Sequence, residues 1–195
     1  MLRIPSGRQR TALFLDRDGV VNTDKNHVWR IDEFEFLPGI FDLCRTAQEV
    51  GLVPIVATNQ GGIGRGYYTE HDFQTLTKWM LAEFRARGID IGRVYHCPYH
   101  PTAGIAEYRR ESFDRKPSPG MILRAKDDFD LDLSRSVLVG NKDSDIEAGY
   151  AAGVGFNIKL VHEPSASSSP DRLEMFSLHA IGDWLARTFD RPGPG

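Results

Sequence analysis

The stretch Ala12-Leu13-Phe14-Leu15-Asp16-Arg17-Asp18-Gly19 places four apolar residues directly before two acids and a glycine. An apolar run of this length, closed by a turn signal, is typical of a buried strand in a parallel sheet. Because ligands of open α/β sheets bind beyond the carboxyl ends of the strands, we expect Asp16 and Asp18 to face a cleft. The competing interpretation is a solvated Asp-x-Asp-Gly turn, a pattern that is common by itself.

The spacing of the two acids suits metal-assisted phosphoryl transfer. If the chain turns after Asp16, the backbone carbonyl of Asp18 can approach the Asp16 carboxylate. Small hard cations bind carboxylate and carbonyl oxygens. One carboxylate could also attack phosphorus to give an aspartyl-phosphate while its neighbour moves protons.

Strand and helix patterns alternate from about residue 11 to residue 160, which predicts an α/β fold with a central parallel sheet. We expect a Rossmann-like three-layer sandwich. The predicted strands are 12–15, 52–57, 93–96, 136–140 and 156–160. The predicted helices are 40–50, 120–129, 146–152 and 173–189, with one more between the cap Thr69 and the stop Gly88.

The remaining segments define the domain organisation. We expect a single domain over 11–190, a basic arm over 1–10 and a disordered tail over 191–195. The connecting segments are a substrate cap or small β flap over 22–37, a flexible loop over 61–66, an irregular loop over the site at 97–119, and a flexible linker over 165–170.

Charge and composition exclude several classes of partner. The 195 residues carry 24 Lys and Arg against 27 Asp and Glu, so the formal net charge is −3 and no broad basic field recruits nucleic acid. No stretch approaches the roughly 20 apolar residues of a membrane span, and residues 1–10 lack the apolar core of a secretory signal. With only Cys44 and Cys97, we expect no disulfide framework and a reducing cytoplasmic location. We expect a monomer.

Further polar groups follow the other predicted strands. Thr58 can donate its hydroxyl to a phosphate oxygen, and Asn59 and Gln60 stand beside it. The cluster Asn141–Asp145 follows the fourth strand, near a helix N-terminus that favours anions. Arg115-Lys116-Pro117 supplies the cations that a phosphate needs. Each group alone has an ordinary solvent-exposed or capping interpretation, and their joint placement favours a phosphate site.

These stretches resemble the motifs of a known superfamily. Leu15–Gly19, Thr58–Gln60, Arg115–Pro117 and Val139–Asp145 occur in the order of the four motifs of the haloacid dehalogenase superfamily of phosphatases. Within it, the chain resembles the D-glycero-D-manno-heptose 1,7-bisphosphate 7-phosphatases over about residues 11 to 160. The stretches that carry this second resemblance are Ile31–Phe36, Gly64–Gly66, Cys97–Pro101 and Arg115–Met121. The histidinol-phosphate phosphatases share the same frame.

The resemblance implies a role for each matching residue. Asp16 would be the nucleophile and a Mg²⁺ ligand. Asp18 would protonate the leaving alkoxide and then activate water, and its backbone carbonyl would bind the metal. Thr58 and Lys116 would hold the phosphoryl group. The residues expected to contact substrate are Asp24, His27, Asn59, Gln60, Gly61, Arg65, Arg115 and Lys142. Relatives with a middle region this short lack a large cap, so loops must select the substrate.

Two departures from the family pattern affect metals. Many relatives hold a structural Zn²⁺ after the third strand, but here Tyr99, Ser112 and Asp114 replace expected ligands. We therefore expect no zinc, and packing of Tyr99 and Tyr108 to hold the loop instead. Asn141 stands where the family has an aspartate that binds Mg²⁺ directly. An amide oxygen brings no charge, so we expect weaker Mg²⁺ binding unless Asp143 or Asp145 compensates.

Four functions compete at this point. The leading one is removal of the 7-phosphate from a heptose 1,7-bisphosphate, a step that would feed nucleotide-activated heptose to surface glycans. Histidinol phosphate or another small phosphoester is the second substrate class. A non-catalytic phosphosugar-binding protein is the third, motivated by Asn141 alone. Removal of a 3′-phosphate from nucleic acid is the weakest, because the charge balance offers no basic groove.

Overall fold

The computed structural model describes residues 9–161 and 173–189, which form a sheet of six parallel strands in the order β3-β2-β1-β4-β5-β6. The strands are β1 (Thr11–Leu15), β2 (Leu52–Asn59), β3 (Arg93–Cys97), β4 (Val137–Gly140), β5 (Phe156–Leu160) and β6 (Leu173–Met175). The helices are α1 (Ile40–Glu49), α2 (Gly61–Gly64), α3 (Glu70–Arg85), α4 (Gly120–Phe129), α5 (Asp143–Ala152) and α6 (Leu178–Phe189). The predicted linker and tail, and all of the predicted arm except residues 9 and 10, lie outside the described residues.

The central strand β1 is buried on both faces of the sheet. It lies between β2 and β4, where Phe14 pairs with Ile55 on one side and with Leu138 on the other. Leu13 and Leu15 belong to the core layer that includes residues of α1, α3 and α6. Phe14 belongs to the opposite layer, with α4 and α5. This arrangement confirms the three-layer α/β fold predicted from the alternation of strands and helices.

In the part of the chain that the structure describes, no helix has the length and apolar character needed to cross a membrane.

The C-terminal helix predicted over 173–189 is wrong in its first part. Leu173–Met175 instead forms β6, which pairs with β5 at the edge of the sheet. The Val161 N–H donates to the Met175 carbonyl oxygen at 3.0 Å, and α6 begins only at Leu178. The structure of this short segment depends on its hydrogen bonds to β5. The hydrophobic periodicity of the segment itself contains no information about that pairing.

The flexible loop predicted over 61–66 is also wrong. Gly61–Gly64 forms one helical turn, α2, in which all four residues are buried and the Arg65 N–H donates to the Gly61 carbonyl oxygen at 3.1 Å. A Cβ atom on Gly64 would lie 2.4 Å from the carbonyl oxygen of Pro98. The glycines here permit close backbone packing and do not supply flexibility.

The 22–37 segment forms a flap with one antiparallel bridge, between Asn22 and Phe36. Its base is closed by the Thr23 N–H, which donates to the Glu35 carbonyl oxygen at 2.8 Å. Phe34 and Phe36 pack against Trp79, with ring centroids 5.5 and 5.7 Å apart. This aromatic packing anchors the flap on α3, beside the carboxyl end of the sheet.

The capping box of α3 provides a test of the fold. The Thr69 hydroxyl oxygen accepts the Asp72 N–H at 3.1 Å, and the Asp72 carboxylate accepts the Thr69 N–H at 2.8 Å. We expect Thr69→Ala to lower the free energy of unfolding in urea by about 1 kcal/mol, because an N–H of the first turn loses its partner. Thr75→Ala on an exposed turn of the same helix is the control, with an expected change below about 0.5 kcal/mol. Equal losses would show that the box does not stabilise α3.

Candidate active site

The carboxyl ends of three neighbouring strands meet at one edge of the sheet. Asp16 follows β1, Thr58 lies near the end of β2, and Asn141 follows β4. Lys116 reaches the same edge from the loop over 97–119. Asp16, Thr58 and Lys116 are only 6%, 1% and 4% exposed. Residues that the sequence analysis assigned to separate strand ends are thus assembled in one buried group.

Lys116 is held between two buried carboxylates. Its Nζ donates to Asp16 Oδ1 at 2.9 Å and to the Ala57 carbonyl oxygen at 2.7 Å, and it lies 2.7 Å from Asp145 Oδ1. These acceptors use all three N–H donors of the ammonium. A phosphoryl oxygen that binds Lys116 must therefore replace one of these three acceptors.

Burial and charge act in opposite directions on this group. Burial raises the pKa of Asp16 to about 6; the Lys116 ammonium opposes the rise, and the Asp145 and Asp18 carboxylates add to it. Burial alone would lower the pKa of Lys116, but the carboxylates of Asp145 and Asp16 outweigh burial and raise it. Lys116 is therefore cationic. Two carboxylates against one ammonium leave an excess negative charge that favours a further cation beside Asp16.

Asn59 fixes the backbone from which Lys116 projects. Its Nδ2 donates to the Lys116 carbonyl oxygen, and its Oδ1 accepts the Lys116 N–H, both at 3.0 Å. This pair of bonds ties the loop over 97–119 to the end of β2. The predicted substrate contact Asn59 thus has its amide engaged with the protein backbone.

The Asp18 carboxylate is surrounded by donors, and two of them, Arg17 and Asn22, were missed from the sequence. Arg17 Nη2 lies 2.9 Å from both Asp18 oxygens, and the amides of Asn22 and Gln60 donate at 3.1 and 3.0 Å. Arg17 is 1% exposed. Strand alternation would send it away from Asp18, but β1 ends at Leu15 and the following turn brings the guanidinium back. The turn signal at Gly19 was the available clue.

The oxygen atoms around the Asp18-Gly19 turn fit a Mg²⁺ ion. Asn141 Oδ1 is buried and has no hydrogen-bond partner among residues 9–161 and 173–189. Asn141 packs against the Asp18-Gly19 turn, where a Cβ on Gly19 would lie 2.1 Å from its Nδ2. The Asp16 carboxylate, the Asp18 carbonyl and the Asn141 amide oxygen are the ligand types that Mg²⁺ accepts.

The two suggested compensating acids are engaged elsewhere. Asp145 Oδ1 contacts Lys116, and its Oδ2 accepts the Lys142 N–H at 2.9 Å. That bond caps α5, which begins at Asp143 and not at Ile146 as predicted. Asp143 pairs with Lys159 at 2.8 Å. Both carboxylates are thus paired with lysines, and Asp145 also contributes to the excess negative charge beside Asp16.

The predicted substrate cations fall into two groups. Arg115, half buried, lies near Arg65 and beside Gly61, and burial together with Arg65 lowers its pKa. Arg65 Nε is buried without a hydrogen-bond partner in the described part of the chain. Lys142 forms the second group, with its Nζ donating to Asp24 of the flap at 3.0 Å.

His27 of the flap lies between these two groups. Burial lowers its pKa, and the nearby charges of Arg65 and Lys142 act in the same direction. Its ring packs edge-on against Tyr67, with centroids 5.1 Å apart. The flap thus carries a largely neutral ring between two sources of positive charge.

The loop over 97–119 is held by packing and hydrogen bonds. The rings of Tyr99 and Tyr108 lie 5.9 Å apart, as expected, and Arg110 stacks 3.8 Å over Tyr99. Arg115 Nη1 donates to the Tyr99 carbonyl oxygen at 2.9 Å. Among the described residues, no three His, Cys, Asp or Glu side chains are grouped to hold a metal ion, and Cys97 is a free, buried thiol.

Comparison with known proteins identifies the relatives of this chain. A family model described as HAD-hydrolase-like matches residues 113–162. The D-glycero-alpha-D-manno-heptose-1,7-bisphosphate 7-phosphatase of Burkholderia mallei is 58% identical over 149 residues, which cover 76% of this chain and 79% of the relative. The beta-anomer 7-phosphatase of Yersinia pestis is 43% identical over 172 residues, which cover 88% and 92%.

A solved structure supports the same fold. The D,D-heptose 1,7-bisphosphate phosphatase of B. bronchiseptica, determined with magnesium and phosphate, superposes with a TM-score of 0.77 at 24% identity. The match covers 91% of this chain and 98% of that one.

Asp145 offers a test of the buried ion group. We expect Asp145→Asn to lower the free energy of unfolding by about 1–3 kcal/mol, because an amide has one acceptor oxygen for the two donors of Lys116 and Lys142. Glu147→Gln, at an exposed position of the same helix, should change it by less than about 0.5 kcal/mol. Urea unfolding of both variants provides the comparison. A loss no larger than that of Glu147→Gln would contradict the assigned role of Asp145.

Proposed function

The chain belongs to the haloacid dehalogenase-like hydrolases, within the family of heptose-1,7-bisphosphate 7-phosphatases, and we propose that it removes the 7-phosphate of a D-glycero-D-manno-heptose 1,7-bisphosphate. The observation that carries the proposal is the Lys116 ammonium 2.9 Å from the buried Asp16 carboxylate. A carboxylate held by a cation in a water-poor site can attack phosphorus while the cation balances the charge on the phosphoryl oxygens.

In the first step Asp16 is the nucleophile. Its free oxygen attacks phosphorus, the bond from phosphorus to the sugar oxygen breaks, and Asp18 gives its proton to that oxygen. As the attacking carboxylate becomes an acyl phosphate it loses its charge, so Lys116 can transfer a hydrogen bond from Asp16 to a phosphoryl oxygen. The Thr58 hydroxyl donates to another phosphoryl oxygen.

In the second step the aspartyl-phosphate is hydrolysed. The Asp18 carboxylate takes a proton from water, the water oxygen attacks phosphorus, and the bond to Asp16 breaks. Turnover therefore consumes one water and releases the free alcohol and inorganic phosphate, and it returns Asp16 to its ionised form and Asp18 to its protonated form.

Mg²⁺ would be held by the Asp16 carboxylate, the Asp18 carbonyl and the Asn141 amide oxygen. When bound, it supplies positive charge that offsets the repulsion between the nucleophile and the phosphoryl oxygens. The magnesium and phosphate named with the B. bronchiseptica phosphatase support a role for Mg²⁺ in the reaction.

The two groups of cations support a bisphosphate substrate. Arg65 and Arg115 are close enough to lower the pKa of Arg115, so an anion placed between them would relieve their repulsion. Lys142 adds a further cation across the flap, tied to Asp24. A second phosphate on the sugar is the group that such a distribution of charge would recognise.

We also propose that the protein acts as a cytoplasmic monomer without structural zinc. The free, buried thiols of Cys44 and Cys97 support a reducing compartment.

A panel of phosphate esters tests the proposed substrate. We expect the highest kcat/KM for one anomer of the heptose 1,7-bisphosphate, and at least tenfold lower values for hexose phosphates and histidinol phosphate, because these lack a second phosphate in the same place. Phosphate release with Mg²⁺ provides the measurement. Asp16→Asn should abolish turnover in every case. Faster hydrolysis of histidinol phosphate would contradict the substrate, and release of phosphate by Asp16→Asn would contradict the mechanism.

Asn141, as a proposed Mg²⁺ ligand, should affect the Mg²⁺ concentration that gives the half-maximal rate. We expect Asn141→Asp to lower the Mg²⁺ concentration at half-maximal rate by roughly tenfold, because it adds a charge to the donor set. Direct titration of Mg²⁺ binding by calorimetry should move by the same factor. Gln48→Glu adds an equal charge on the exposed side of α1 and serves as the control. An unchanged Mg²⁺ requirement in Asn141→Asp would show that residue 141 is not a ligand.

A further inference from the structure

The side chain of Gln60 connects the two groups that would handle the proton and the phosphoryl oxygens. Its Nε2 donates to Asp18 Oδ2 at 3.0 Å and to Thr58 Oγ1 at 2.9 Å. Its Oε1 accepts the hydroxyl hydrogen of Tyr68. Gln60 is 1% exposed, and its amide is fully engaged by these three neighbours. It has little surface with which to touch a substrate directly.

The Tyr68 hydroxyl and the Asp18 carboxylate together fix the direction of the Gln60 amide. The hydroxyl donates to the amide oxygen, and the carboxylate, which only accepts, takes one N–H, so the other N–H faces Thr58. Burial raises the pKa of Tyr68 to about 12, so the hydroxyl keeps its hydrogen at neutral pH. The reversed amide would place its oxygen against the Asp18 carboxylate.

The direction of the amide also sets the Thr58 hydroxyl. Because Thr58 Oγ1 accepts a hydrogen bond from Gln60, its own hydrogen must point elsewhere. Thr58 lies beside Asp16 at the end of the sheet, so the hydrogen is free to donate to a phosphoryl oxygen.

Tyr68 is itself held in place by its surroundings. Its ring stacks on Trp29 of the flap, with centroids 6.2 Å apart and planes 10° apart. On the other side it lies against α2, where a Cβ on Gly62 would come within 2.9 Å of the tyrosine oxygen. The bare backbone of Gly62 is therefore what allows the hydroxyl to reach Gln60.

We propose that Gln60, oriented by Tyr68, is a positioning residue that aims the Asp18 carboxyl and the Thr58 hydroxyl. The family resemblance implies a substrate contact for Gln60 and no role for Tyr68. The inference rests on the proposed function, in which Asp18 is the general acid. Tyr68 then affects catalysis only through the side chain of Gln60.

The test compares two leaving groups. The substrates are p-nitrophenyl phosphate, whose leaving group departs without a proton, and the alkyl phosphate that the wild type hydrolyses fastest. The value of kcat/KM reports only the steps up to phosphorylation of Asp16, in which Asp18 acts as the acid. The variants are Tyr68→Phe, Gln60→Met and the double variant. Tyr95→Phe is the control, because it removes the hydroxyl of another buried tyrosine, which donates to Asp128 away from the site.

We expect Tyr68→Phe and Gln60→Met to lower kcat/KM for the alkyl phosphate by about tenfold more than for p-nitrophenyl phosphate, since a misplaced acid matters only when the leaving group needs a proton. The loss should fall on kcat more than on KM. In the Gln60→Met background, Tyr68→Phe should have little further effect, because the tyrosine acts through the amide. Tyr95→Phe should leave both rates near the wild-type values.

Three results would overturn the proposal. These are equal losses for the two esters, a loss confined to KM, and losses that multiply in the double variant. A wild-type chain that released phosphate from neither ester would remove the proposed function itself, and this inference with it. Urea unfolding of each variant separates a loss of folded protein from a loss of positioning.

Discussion

The buried ion group of Asp16, Lys116 and Asp145 is the constraint on which the site depends. Removing three charges from water is costly, and the cost is offset only when every charged group is hydrogen-bonded in place. Here the ammonium has three acceptors, and the second oxygen of Asp145 caps α5. The group therefore holds the ends of β1 and β4 and the long loop over 97–119 in one arrangement. This arrangement positions Asp16, the proposed nucleophile, before any substrate arrives.

Two consecutive amides extend this constraint across the site. Side chains of an extended chain alternate in direction, so Asn59 and Gln60 leave the end of β2 toward opposite sides. Asn59 clamps the backbone of Lys116, and Gln60 contacts Asp18. From a single strand end, one amide thus holds the lysine that contacts Asp16, and the other holds Asp18 directly. Amides suit this task because each carries a donor and an acceptor without adding charge to a crowded ionic site.

Particular elements show where prediction from sequence succeeds and where it fails. The strand that ends at Leu15 and the capping box at Thr69 were predictable, because each depends on residues that are neighbours in the chain. The strand Leu173–Met175 was not, since it exists through pairing with β5. The helical turn Gly61–Gly64 was not, since glycine is equally typical of a loop and of close packing.

The sequence by itself determined the class of fold and indicated the residues that we propose carry out the chemistry. The carboxyl ends of parallel strands lie at one edge of the sheet, so the position of an acid or a hydroxyl that follows a strand can be predicted. Tertiary structure alone decided the partners. Arg17 turns back onto Asp18, and Tyr68, which stacks on Trp29 of the flap, reaches the Gln60 amide at the sheet edge. Such contacts depend on how layers pack around a turn, and no local period or spacing records that geometry.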